Sequence, residues 1–119
     1  MTTEQINGHN LYFAAEEGPV LAGEQDALDL LRATYGMEAD IIVVPVHRFS
    51  PEFFDLSNRQ AGYFFQKMQN YRMRLIVLGD ISRQMAGSTA LRNFVGEINR
   101  AGYHLFAAHR SDMEEKLSR

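Results

Sequence analysis

At 119 residues and 13.6 kDa, the chain is sized for one domain with its own buried core. Its formal net charge of −3 and pI of about 5.8 argue against a nucleic-acid partner, because phosphate binding favours a basic face. It has no cysteine, which excludes disulfides, thiolate nucleophiles and thiolate metal sites.

The opening "MTTEQINGHN" is polar and lacks a secretory pattern, so residues 1–8 are expected to form a flexible N-terminus and the chain to be cytoplasmic. "HNLYFA" (9–14) reads as a short strand, turned by Gly18 and Pro19. Residues 24–36 read as a helix with Glu24 and Asp26 at its positive end. Leu28, Leu31 and Tyr35 form its repeat, and Gly36 stops it. "DIIVVPV" (40–46) is an almost wholly apolar strand whose paired part is expected to end near Val44, because Pro45 has no N–H to donate. Ser50 and Pro51 open one helical turn over 50–54.

The next helix is predicted from Asn58 to Tyr71, with Ala61, Phe64, Phe65 and Met68 on one face. Ser57 followed by Gln60 matches a capping box at its start. "RLIVLG" (74–79) has the continuous apolar character of a strand covered on both faces. A third helix over 88–100 repeats Leu91, Phe94, Val95 and Ile98, and "YHLFAA" (103–108) is a further strand. Ser111 and Glu114 form a second capping box before a short last helix. The alternation gives an α/β domain over residues 1–119: one four- or five-stranded, mostly parallel sheet covered by helices. No run of residues approaches the apolar length of a membrane span.

In parallel sheets, ligands sit beyond the carboxyl ends of the strands. That rule selects Asp55, Ser57, Asn58 and Arg59 in one loop, and Asp80, Ser82, Arg83, Ser88 and Arg92 in and after another. A helix start offers unpaired N–H groups to a small anion, and a phosphoryl group on Ser57 would sit there beside Arg59. Asp55 opposes it by charge. Gly79 and Gly87 are not spaced as a phosphate-cradling loop, and no Lys-Ser/Thr pair follows, so nucleotide binding by a standard P-loop is not expected. There is no G-x-S-x-G nucleophile elbow either. His47, Asp80 and His109 all fall near strand ends and define the enzymatic alternative, a zinc or acid–base trio. No cofactor is expected for the non-enzymatic reading. A third reading is an oligomer, most simply a homodimer, with Phe53, Phe54 or Tyr63 as contact residues.

The run from Ala39 to Asp80 resembles the STAS domain of sulfate transporters and anti-sigma-factor antagonists. Asp55-Leu56-Ser57-Asn58 falls on that family's Asp-Ser-Ser-Gly motif, with Leu56 at the serine that is typically phosphorylated. A more extensive resemblance is to a family of small, mostly bacterial proteins, domain of unknown function 4180. It is carried by Phe53 to Leu56 with Ala61-Gly62, by Gly79-Asp80-Ile81-Ser82, and by Ser88, Leu91, Arg92, Phe94, Val95, Glu97, Asn99 and Arg100. The STAS resemblance implies a STAS-like fold, and the leading expectation is a non-enzymatic regulatory or protein-interaction domain whose unknown protein partner docks on the loops at the carboxyl ends of the parallel strands, at the Asp55–Arg59 helix start and the Asp80–Ser88 loop. Neither resemblance implies a catalytic residue.

Overall fold

The computed structural model describes residues 2–118. Five strands line up in chain order: β1 (Thr2–Ile6), β2 (His9–Phe13), β3 (Ile41–Pro45), β4 (Arg74–Leu78) and β5 (Leu105–Ala107). From β2 onward the sheet is parallel. Ile42 lies opposite Leu75, Val44 opposite Val77, and Val77 opposite Phe106. β1 runs antiparallel to β2 through a turn in which Asn7 and Gly8 both have positive φ. Thus Thr2–Ile6 is a strand where residues 1–8 were expected to be a flexible N-terminus. Its residues are polar and largely exposed because it is a sheet edge, so it lacks the apolar signature of the inner strands.

Each parallel strand is joined to its immediate neighbour, and such crossovers place their helices on one face of the sheet. α1 (Glu24–Ala33), α2 (Gln60–Asn70) and α4 (Thr89–Ala101) accordingly share a core with Tyr12, Ile42, Val44, Leu75, Val77 and Phe106. The alternate strand residues Leu11, Ile41, Val43, Ile76, Leu105 and Ala107 face the other way. α5 (Arg110–Leu117) covers them with Met113 and Leu117. One further helix, α3 (Ser82–Ala86), fills the connection after β4 and has no apolar repeat to announce it.

The aromatic stretch is core. Ala61, Phe64, Phe65 and Met68 are all buried, as their spacing predicts. Phe53 packs at 4.2 Å from the ring of Phe49 and 5.6 Å from that of Phe64, and Phe65 reaches Phe106 at 5.5 Å. α1 departs from its predicted face. Ala27 and Leu30 are buried, whereas Tyr35 lies beyond the helix end and is 92% exposed. Pro45 does stay in register, opposite Leu78, because a parallel pairing at the strand end does not require its missing donor.

A buried arginine shapes the rim. Arg48 donates to the carbonyl of Ala15 at 2.7 Å and to that of Pro19 at 3.1 and 3.3 Å. These bonds compensate a guanidinium removed from water and wrap residues 15–21 around it. The wrap is continued by a bridge between Leu21 and Phe49.

Candidate functional site

Beyond β3, two short 3-10 turns, Pro51–Phe54 and Leu56–Asn58, lead into α2. Pro51 takes the first position of its turn as predicted, but the Ser50 side chain makes no capping bond. The Ser57–Gln60 capping box does not form. The Ser57 backbone N–H and hydroxyl both donate to Asp55 Oδ1, at 3.1 and 2.7 Å. Those two bonds hold the Asp55 carboxyl below its usual range, the side-chain one most strongly. Asn58 takes over the capping role. Its Oδ1 accepts from the Gln60 N–H at 2.9 Å while its Nδ2 donates to the Glu52 carbonyl at 2.9 Å. Arg59 then turns left-handed, with φ 64°, so the helix begins later than the sequence box implies. A phosphoryl group on Ser57 would therefore meet Asp55 before any helix N–H.

Beyond β4, Gly79 has φ 146°, and a Cβ there would lie 2.8 Å from Val46 Cγ2. Both constraints call for glycine. Asp80 Oδ1 accepts the Ser82 N–H at 2.8 Å and so opens α3. Backbone and hydroxyl bonding from Ser82 lowers the Asp80 pKa, with smaller contributions from the charges of His109 and Arg83. Ser88 caps α4 by accepting from the Leu91 N–H at 3.0 Å. Arg92 ties α3 to α4, donating to the Met85 carbonyl at 2.6 Å and to Thr89 Oγ1 at 2.8 Å. The polar residues chosen from the sequence are thus occupied in shaping the two loops, apart from Arg59 and Arg83, which stay exposed.

The histidine trio is divided. His47 Nε2 contacts the Glu16 carbonyl at 2.5 Å and lies 3.3 Å from the Glu16 carboxylate. His109 instead neighbours Asp80 and Asp112, and its charge acts on both. Among the described residues no group of three or more His, Cys, Asp or Glu is arranged to hold a metal ion. At α5 the Ser111 box is also replaced. The helix starts from His109 as cap, and Asp112 accepts the Ala108 N–H at 3.2 Å while holding Lys116 at 2.6 Å. Asp80 and Asp112 do share a cavity of about 270 Å³ with Asn99 and Lys116, but each carboxylate is already engaged by a backbone N–H.

Beside the first loop an apolar surface stays open. α1 packs along α2, whereas α2 and α4 meet through the Phe65–Phe94 ring contact at 5.7 Å, and a groove of about 410 Å³ runs outside it. Leu56, Gly62, Tyr63 and Phe94 form its walls, with Arg59 and Gln66 at the margin. Tyr63 is 50% exposed. A Cβ at Gly62 would meet nothing within 4 Å, so the helix surface is bare there. Of the aromatic contact residues expected from the sequence, Phe53 is buried and Phe54 half-buried, and Tyr63 is on the surface. The groove's sequence signal is weak. Tyr63 lies off the inward stripe of α2, and Phe94 belongs to the inward stripe of α4 but is not fully covered.

The family model for the domain of unknown function DUF4180 matches residues 6–117. The chain belongs to this family. The match spans β2 through α5, so the family unit coincides with the parallel sheet and its helices. No curated protein and no solved structure matches the chain. Several residues that carry the family likeness are explained by the fold. Phe53, Ala61, Leu91 and Val95 are buried, Ser88 caps α4, Asp80 accepts the N–H of Ser82 at the start of α3, and Asn99 binds the backbone of β5. Among the described residues no helix is long and apolar enough to cross a membrane.

Proposed function

We propose that this member of the DUF4180 family is a non-enzymatic, cytoplasmic protein-interaction domain that docks a partner protein in the groove between α2 and α4. One observation carries the reading: an apolar groove lies beside a loop whose polar side chains are mostly committed to one another or to the loop backbone. A hydrophobic groove flanked by helices suits an apolar anchor from a partner segment, with area burial as the driving force. Arg59 is the charged residue at its margin, so an acidic group next to the anchor would complement it. The role fits the regulatory use that the STAS-like resemblance implies, with docking in place of a Ser57 phosphate. A small-molecule or metal-dependent enzyme is the weaker reading, since His47 is engaged with Glu16 rather than with Asp80 and His109.

The test is a photo-crosslinking side chain at position 63 in cells, with position 35 as an exposed control. The expected result is a discrete adduct with another protein at 63 that is absent at 35. Gly62→Arg should abolish it without unfolding the domain, because the added side chain has open space to enter. Equal adducts at both positions would refute the proposal, as would survival of the adduct in Gly62→Arg. An adduct at twice the chain mass would assign the groove to a second copy instead.

A further inference from the structure

The amino ends of the strands, opposite the rim described above, carry a different kind of surface. A cleft of about 490 Å³ opens there under the last turn of α5. His9 from β2, Arg74 from β4, Arg100 from α4 and Lys116 from α5 converge on it, and Leu105 and Leu117 supply its apolar part. Among the described residues, none of the side chains lining it is acidic, although acidic residues outnumber Lys and Arg by 15 to 12 in the chain.

A simpler account is that cations gather at helix C-termini, where each gains a few tenths of a kcal/mol to about 1 kcal/mol. That account covers Lys116 well, since it is also held by Asp112 at 2.6 Å. It covers Arg100 poorly. Among the described residues its side chain bonds none of the α4 carbonyls, and just past the helix end it is Arg74 that donates, from Nε to the Tyr103 carbonyl at 2.8 Å and from Nη2 to the Gly102 carbonyl at 3.1 Å. Those bonds fix the Arg74 guanidinium plane and, among the described residues, leave Nη1 uncommitted. Arg100 makes no hydrogen bond or ion pair among the described residues. One anchored guanidinium and one unengaged guanidinium therefore border a concave space within the usual size of small-molecule sites.

We infer that this cleft is a binding site for a phosphate-bearing small anion. Guanidinium forks match phosphate oxygens in pairs, Lys116 and His9 add donors, and the Leu105–Leu117 wall accepts an apolar part of the same ligand. This site is independent of the groove between α2 and α4, and either proposal can fail without the other.

The experiment follows backbone amide resonances of the full chain during titration with pyrophosphate, inorganic phosphate and, separately, citrate. Saturable shifts are expected with pyrophosphate at Arg74, Arg100, Gly102, Tyr103 and Lys116, with inorganic phosphate weaker at the same residues. Loss of one charge-assisted contact in Arg100→Ala should weaken binding roughly tenfold. Arg100 is exposed, so that variant should keep the wild-type spectrum elsewhere. Arg83→Ala, which removes an exposed arginine at the other end of the sheet, should bind as wild type. Shifts that fail to saturate, equal affinity in Arg100→Ala, or citrate binding as tight as pyrophosphate would each overturn the assignment.

Discussion

His104 is the most decisive probe of the packing between α2 and the edge of the sheet. It precedes β5, and its ring continues the ladder by one position: Nδ1 accepts the Leu75 N–H at 3.0 Å. That bond fixes the neutral tautomer with the proton on Nε2. The ring is buried against Phe65 at 5.1 Å and Tyr103 at 4.8 Å. Burial, reinforced by the charge of Arg74, lowers its pKa from 6.5 to about 4. The Phe65 carbonyl opposes this weakly, but no hydrogen bond of normal geometry closes on Nε2. In the unfolded chain the ring takes up a proton as the pH falls through 6.5, and in the folded protein it does so only near 4. Stability from this residue is therefore intact above 6.5, declines as the pH falls through that window, and levels off below 4. At about 1.4 kcal/mol per pH unit the ceiling is about 3 kcal/mol, and discounting for solvent screening leaves roughly 1–2 kcal/mol.

The assay is urea unfolding followed by far-UV circular dichroism at pH values across the window, on wild type and His104→Asn. Asparagine keeps an acceptor for Leu75 and does not titrate. It should be less stable near neutral pH by about 1–3 kcal/mol, from lost ring contacts. The expected outcome is a shallower loss of stability with acid in His104→Asn than in wild type. The carboxylates held by hydrogen bonds, such as Asp80 and Asp112, lose stability with acid in both proteins and cancel in the comparison. Parallel profiles would refute the reasoning, as would a His104 ring that titrates near 6.5 by proton NMR.

Two further substitutions test how the fold is held. Arg48→Met should destabilise by about 2–4 kcal/mol in equilibrium unfolding, because the Ala15 and Pro19 carbonyls lose their buried donor; it should also raise protease sensitivity within residues 15–21. Asn99 donates to the Phe106 carbonyl at 3.2 Å and accepts its N–H at 2.8 Å, sealing the free edge of β5. Asn99→Ala should cost about 1–3 kcal/mol and expose that edge to pairing, measured as concentration-dependent self-association in sedimentation.

The apolar pattern was readable residue by residue. Ala61, Phe64, Phe65 and Met68 are inside because a helix of 3.6 residues per turn puts them on one stripe. The parallel pairing of β3 with β4 likewise followed from their continuous apolar runs and the helix between them. The candidate site was less legible. Ser57, Asp80, Ser88 and Arg92 do occupy the rim, yet each is engaged in local structure that competes with any ligand. A capping box is a local motif, and at Ser57 it lost to the Asp55 carboxylate two residues earlier and to the left-handed turn at Arg59. β1 went unseen because an edge strand needs no apolar alternation.

Sequence alone determined which side chains of α2 and of the inner strands leave water, and the order of the parallel strands with α1, α2, α4 and α5, because burial preference and helical or strand periodicity are properties of neighbouring residues. Tertiary structure alone decided what the polar groups do. Arg48 finds carbonyls 29 and 33 positions away, and His104 an N–H 29 positions away. It also decided where surface stays open, between α2 and α4 and beneath α5, since a groove exists only once separate elements have docked and left a gap. Those partners are chosen by three-dimensional reach, which no local spacing encodes.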